Sequence, residues 1–301
     1  MSRVTVVGHP GLDTLILLDR DDLDLCADGY FTRNVDTPGG APTYTARGMA
    51  RLGHDTRLLG ALGDDVAGRT VRTALEADGV DCATVFEDPA GTTRSANLVF
   101  PGGRRLFFFD GGSHTTLVPS SALVSAALAG ADLVFSALAD WARHVVVAAR
   151  SAGILVAVDL QDVRDPADPY RADFVAAADH IFASAAHLSD PVAAARRWMA
   201  HGPARTVVFG MGDRGALLVS RPAQPGGEPV VVRQPPAQVD RPVVDTTGAG
   251  DALACGFLDG LLRGMPLTAA LARGQVSARV TAGQVGGDAL ATAAELAALS
   301  G

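Results

Sequence analysis

Seven residues carry the clearest chemistry in this chain: Asp245-Thr246-Thr247-Gly248-Ala249-Gly250-Asp251. They follow a short apolar stretch, read as a strand over 242–244, and open an apolar helix over about 250–263. Three small residues at a helix start leave backbone N–H groups free, and the positive end of the helix dipole favours an anion there. A carboxylate beside an anion cradle repels the anion it would store. The pairing makes sense where the carboxylate takes a proton from a hydroxyl attacking phosphorus, which is the logic of phosphoryl transfer. A plain N-capping aspartate on a glycine turn is the simpler alternative.

A second glycine cluster, Gly210-Met-Gly212-Asp-Arg-Gly215, spells GxGxxG after a strand. A dinucleotide site needs the last glycine to open a helix. Here Ala216 to Val219 follows and reads as a strand, so the cluster reads as a Gly-rich hairpin turn or, alternatively, as a turn whose open backbone lets a ligand approach.

The elements around these motifs alternate. Strands are expected at Val4–Val7, Thr56–Leu62, Leu133–Phe135, Ile154–Asp159, His180–Ala183 and Thr206–Phe209, with helices at Ala41–Leu52, Asp65–Asp78, Trp141–Ala152 and about 171–178 and 189–201. This predicts an α/β fold with a mostly parallel sheet flanked by helices. Ala216–Val219 is expected to run antiparallel, Val230–Arg233 is a further short strand, and helices over about 267–282 and 292–299 end the chain. One break occurs: Arg94–Phe100 and Arg104–Asp110 read as a hairpin around Pro101-Gly-Gly. With the strand-like Leu12–Leu18 it is expected to form a small β-sheet lid from about 11–38 and 92–112, within one domain spanning 1–301. The polar stretch Asp19–Pro38 reads as irregular.

Composition narrows the classes. Hydrophobic residues make up 48 % and charged ones 19 %, enough to bury a core. With 25 basic and 33 acidic residues the net charge is −8, which speaks against nucleic acid as a partner. The chain has no lysine, so Schiff-base and P-loop lysine chemistry are excluded. Cys26, Cys82 and Cys255 form no CxxC pair, which fits a reducing compartment. No apolar run reaches membrane-spanning length and the N-terminus does not read as a signal peptide, so the expectation is cytoplasmic.

Taken together, the motifs resemble the ribokinase-like (PfkB) carbohydrate kinases over nearly the whole chain. DTTGAGD and its helix resemble one family signature. Thr37 to Gly53, a GG pair opening a helix that ends in Arg-Leu-Gly, resembles the other, and Gly60–Gly68 its usual continuation. Val7-Gly8 with Asp13 resembles the first strand and substrate aspartate, and 207–215 the nucleotide-side strand and turn.

The resemblance implies a kinase that uses ATP and Mg²⁺ to phosphorylate a hydroxymethyl group of a small sugar. Asp251 would be the base, with Gly248, Ala249 and Gly250 forming the anion hole. Asp13, Gly39, Gly40 and Tyr44 would meet the acceptor. Thr246, Ser184, Gly210, Gly212 and Gly215 would lie on the nucleotide side. Asp245 and Thr247 match positions that in some members line a monovalent-cation site, as for K⁺. A homodimer through the lid is the expected assembly.

The departures are specific. The family's NxxE reads Ser184-Ala-Ala-His187 here, and histidine is a poor magnesium ligand, so the Mg²⁺ ligands are left open. Tyr44 stands where Asn is usual. Its ring suits a nucleobase, so a nucleoside or pseudouridine-type kinase is an alternative, with Gly286-Gly287-Asp288 reminiscent of the latter. A catalytically weak ligand-binding or regulatory protein on the same fold is the alternative of another class. His9, His114 and Arg164 are candidate pocket residues, and Phe107-Phe108-Phe109 reads as hairpin or interface core.

Overall fold

The computed structural model describes the chain except for residues 223, 225, 226, 287–289, 300 and 301. Parts of the Pro/Gly stretch at 224–228 and of the Gly-Gly-Asp stretch at 286–288 therefore lie outside the described residues.

The main sheet is built from β1 (Arg3–Val7), β4 (Asp55–Leu62), β5 (Val85–Glu87), β8 (Leu133–Ser136), β9 (Leu155–Asp162), β10 (His180–Ser184), β11 (Thr206–Gly210), β12 (Ala216–Ser220) and β13 (Val230–Gln234). Their order is β13-β12-β11-β10-β9-β8-β1-β4-β5. Pairing is parallel from β5 to β11, and β12 and β13 add antiparallel. Runs such as Val4–Val7 and Thr206–Phe209 are buried on both faces, the mark of strands covered by helices on each side. The GxGxxG turn joins β11 to β12 as a hairpin, with no helix following it.

Two helical layers cover the sheet. On one face α4 (Ala142–Ser151), α5 (Ala172–Ala177) and α6 (Pro191–His201) bring Val145, Phe174 and Trp198 onto Val156, Ile181 and Val207. On the other face α1 (Ala41–Arg51), α7 (Ala249–Leu262) and α8 (Leu267–Thr281) bring Met49, Phe257 and Leu271 onto Val6, Ala157 and Phe182. Helices α7 and α8 approach at glycines: a Cβ on Gly256 would stand 2.8 Å from the Gly274 Cα. Cys255 is a buried thiol, with Gly48 of α1 facing it.

A second sheet has the order β3-β2-β6-β7, formed by β2 (Gly11–Leu17), β3 (Arg33–Gly39), β6 (Thr93–Val99) and β7 (Arg105–Asp110). It lies outside the layered body. The stretch expected to be irregular thus contains β3. Its residues are polar and half exposed, and the backbone ladder to β2 makes it a strand. Two further corrections follow from local exposure. The strand expected at Pro242–Val244 is not formed: Val243 and Val244 are exposed, and the Val244 amide bonds the Ala282 carbonyl instead of a strand partner. Helix α3 (Ser121–Leu128), which no apolar stripe marks in the sequence, buries Ala127 of its eight residues and is capped by Ser120.

Asp259, fully buried in α7, ties that helix to α8 and to the segment that follows α1. Its carboxylate accepts from His54 Nε2 at 3.0 Å, Arg263 Nε at 2.7 Å and Arg273 Nε of α8 at 2.5 Å. Burial alone would push this carboxyl up, but the bonds from His54 and the two guanidiniums outweigh it and hold it below the usual range. Asp259→Ala would leave the buried Arg273 without its partner. We expect a loss of about 3–5 kcal/mol in denaturant unfolding. Because the folded carboxyl is depressed, its contribution is present above the unfolded value of about 3.9 and is lost as pH falls through the lower folded value. A loss below about 1 kcal/mol would show that the cluster does not brace the helices.

Candidate active site

The C-terminal ends of the parallel strands are where ligands bind in open α/β sheets. Here they meet the N-terminus of α7 and the inner face of the small sheet. Gly248 caps α7 with φ 75°, a left-handed conformation that glycine adopts freely. Ala249 N donates to Thr246 O and Ala252 N to Gly248 O. The amides of Gly250 and Asp251 lie in the first turn, where no intrahelical acceptor exists. A Cβ on Gly250 would meet nothing within 4 Å, so the turn is open.

Asp251 sits in that first turn, buried, and its Oδ1 has no hydrogen-bond partner. The helix end favours its charge, but burial and the negative charge of Asp159 push its carboxyl well above the usual aspartate value. Asp159 lies near the end of β9. It pairs in register with Phe182 of β10, and Phe182 packs its ring on Phe257 of α7, with centroids 5.8 Å apart. Paired residues share a face, so Asp159 faces α7 as well. Burial pushes Asp159 up to about 6. Nothing in the sequence around Asp159 marked it; the parallel register brings it to the site.

The residues expected to meet the acceptor lie at the base of the small sheet. Asp13 of β2 accepts from Tyr44 Oη at 2.8 Å and from Ser95 Oγ of β6 at 2.5 Å. Asn97 Nδ2 donates to Ser95 Oγ at 2.6 Å. Gly39 must lack a side chain, because a Cβ there would collide with the Asp13 carboxylate. Gly40 has φ 81° and starts α1. Asp13, Gly39, Gly40 and Tyr44 are thus brought together as the sequence predicts, and Ser95 joins them through the parallel β2–β6 register. Tyr44 departs from expectation. Its ring is 3 % exposed and packs over Gly248, so it is not an open stacking platform.

The small sheet also reaches the turn that precedes α7. Arg105 Nη1 donates to Thr247 Oγ1 at 2.9 Å, and Arg105 opposes the upward push on Asp251. Along β7, Phe107 and Phe109 pair with Asn97 and Ser95 and so share the face of Asp13. Phe108 points the other way. All three rings are exposed in the single chain, at 56–60 %, so the hairpin itself does not bury them.

The remaining candidates are placed as follows. Asp245 is fully buried and staples the turn: Oδ1 accepts from Thr247 N and Oγ1, and Oδ2 from Gly286 N. Thr246 Oγ1 donates to Gly103 O at 3.4 Å. Gly210 ends β11 beside Leu253 of α7, and Gly212, with φ 61°, is open. Gly215 is explained by packing, since a Cβ there would strike the Gln234 carbonyl. Ser184 Oγ accepts from Ala186 N, and His187 is exposed in the turn after β10. His9 is buried at the base of the small sheet and accepts from Trp141 Nε1 at 2.6 Å, with the His114 ring edge-on at 6.1 Å. Arg164 lies exposed beyond β9.

The open amides and the orphaned Asp251 oxygen fit a phosphate group with a hydroxyl beside it. Among the described residues, no group of three or more His, Cys, Asp or Glu side chains forms a ready metal cage. That suits magnesium carried in on phosphate oxygens and water.

Comparison with known proteins agrees. The model of the pfkB family of carbohydrate kinases matches residues 11–293. An acarbose 7(IV)-phosphotransferase from Actinoplanes sp. is 33 % identical over 277 residues, covering 91 % of this chain and 90 % of the relative. A fructoselysine 6-kinase from Escherichia coli K12 is 30 % identical over 262 residues, covering 86 % and 94 %. Among solved structures, a microbiome-derived acarbose kinase superposes with a TM-score of 0.89 at 29 % identity, covering 99 % of each chain. An Arabidopsis thaliana ribokinase complexed with ribose and ATP shares the fold, with a TM-score of 0.81 at 20 % identity and coverage of 99 % and 98 %. The chain belongs to the pfkB family of carbohydrate kinases and is an ATP-dependent sugar phosphotransferase.

Proposed function

We propose that this kinase phosphorylates a hydroxymethyl group on a sugar built of more than one ring, of the acarbose type. The observation that carries this reading is the inner face of the small sheet. Beyond Asp13, Ser95 and Asn97 it continues into the open rings of Phe107 and Phe109. A single pentose held at Asp13 would leave those rings uncovered, whereas sugar rings of a longer acceptor can lie against aromatic faces. Two of the relatives above, one by sequence and one by structure, are named for acarbose.

In this reading Asp13, clamped by Tyr44 and Ser95, accepts acceptor hydroxyls and fixes the sugar's orientation. Asp251 accepts the proton of the attacking hydroxymethyl group. The free amides at the start of α7 hold the charge that develops on the transferred phosphoryl group. Magnesium, when bound with ATP, neutralises charge on the phosphate oxygens. The small sheet acts as a lid, closing over the acceptor and excluding water. Ser184, Gly210, Gly212 and Thr246 border the nucleotide side. A monovalent cation beside Asp245 and Thr247 belongs to the same proposal and would brace a turn already stapled by that carboxylate.

The outer lid face supports a homodimer. Leu106 and Phe108 are exposed there, at 49 % and 60 %, and an apolar sheet face open to water invites a second copy. Phe108→Asp should convert a dimer to a monomer in sedimentation, and a wild type that sediments as a monomer at micromolar concentration removes the dimer from the account. No described helix is long and apolar enough to cross a membrane.

Replacing the base should isolate the chemistry. Asp251→Asn keeps the shape of the side chain, and we expect kcat to fall on the order of 10²–10⁴-fold with ATP binding and thermal stability retained. A variant that keeps most of its turnover would take Asp251 out of the mechanism. The acceptor is tested by ADP release with acarbose, fructose, ribose and pseudouridine. Acarbose should give the highest kcat/KM. A higher value for fructose or ribose would return the reading to a monosaccharide kinase, and one for pseudouridine would favour the nucleoside alternative.

A further inference from the structure

Tyr44 stands one turn past Gly40, between the two working ends of the site. Its hydroxyl donates to Asp13 Oδ2 at 2.8 Å. Its ring covers Gly248, where an added Cβ would stand 3.4 Å from Cγ and Cδ1 and 3.6 Å from Cδ2. One side chain therefore spans from the carboxylate that holds the acceptor to the glycine that caps the phosphate turn. Burial, with Asp13 beside it, pushes the Tyr44 phenol well above its usual value, so the proton stays on oxygen and the hydroxyl remains a donor.

This placement has a steric consequence. A free pentose has only Asp13 and the turn to hold it, so its one ring must seat between Asp13 and Asp251, whereas a larger acceptor is also held by its outer rings along Phe107 and Phe109. The sugar ring must then lie between those carboxylates and against the phosphate turn. An aromatic ring of similar size already occupies that ground. What remains suits a narrow arm.

We propose that Tyr44 is a specificity-determining residue that closes the inner end of the acceptor pocket to free pentose rings and admits the hydroxymethyl arm of a larger sugar. The larger acceptor's further rings then lie outward, along Phe107 and Phe109. The proposal rests on the sugar-kinase reading and names what this chain's own side chain does within it.

Two variants separate the ring from the hydroxyl. Tyr44→Asn removes the ring and opens the space. Tyr44→Phe keeps the ring and removes one clamp on Asp13. With ATP, Tyr44→Asn should raise the ratio of kcat/KM for ribose to that for acarbose by about tenfold or more, the scale on which pocket size discriminates substrates. Tyr44→Phe should lower kcat/KM for both while leaving the ratio unchanged. An unchanged ratio in folded Tyr44→Asn overturns the proposal. If that variant loses turnover, ribose binding followed by calorimetry decides: binding gained over wild type supports the role, and none overturns it. A wild type that ignores acarbose, with ribose gained in Tyr44→Asn, supports Tyr44 while overturning the acarbose reading. A wild type active on acarbose with an unchanged ratio does the reverse.

Discussion

The site depends on a crowd of carboxylates held where water is scarce. Asp13, Asp159, Asp245 and Asp251 approach one helix start from two strands, a turn and the helix itself. Each is managed differently. Asp245 spends one oxygen on the Thr247 amide and hydroxyl of its own turn and the other on the distant Gly286 amide. Asp13 is clamped by two side-chain hydroxyls. Asp251 keeps one oxygen bare, and burial with a like charge beside it raises its affinity for a proton. A buried carboxylate without a partner is costly to ionise, and in the proposed mechanism that cost is what makes Asp251 an effective base.

The fold supplies the restraint this arrangement needs. Helix α7 cannot shift without disturbing α1 and α8, because glycine contacts and the Asp259 cluster lock the three together. The turn at the N-terminal end of α7 inherits that rigidity. The small sheet reaches over from the opposite side through Arg105 and Gly103. Arg105 brings positive charge to an acidic site that must receive a polyanion, and Mg²⁺ on the nucleotide adds to it.

Much of this was legible in the residues. Parallel strands such as β1 and β11 are continuous apolar runs because both faces are covered, and the DTTGAGD turn reads as an anion cradle from its small residues and its helix. What escaped has physical reasons. Strand β3 lacks an apolar pattern and exists through its ladder to β2. Val243 and Val244 look like a strand, but no neighbouring strand pairs with them among the described residues. Asp159 and Ser95 enter the site through sheet register, which no local spacing encodes. Tyr44 was identified as a site residue, but whether its ring faced a ligand or Gly248 depended on how α1 meets α7.

The most direct test is the protonation of Asp251 itself. In unliganded protein with ¹³C-labelled aspartate carboxyls, NMR titration should show one carboxyl, absent from Asp251→Asn, that titrates well above the ordinary aspartate value of about 3.9. In Asp159→Asn, with a like charge removed, the same signal should titrate at lower pH. If the Asp251 signal titrates at the ordinary value, or stays in place when Asp159 is neutralised, then burial and like charge do not prepare this base and the account is wrong at its centre.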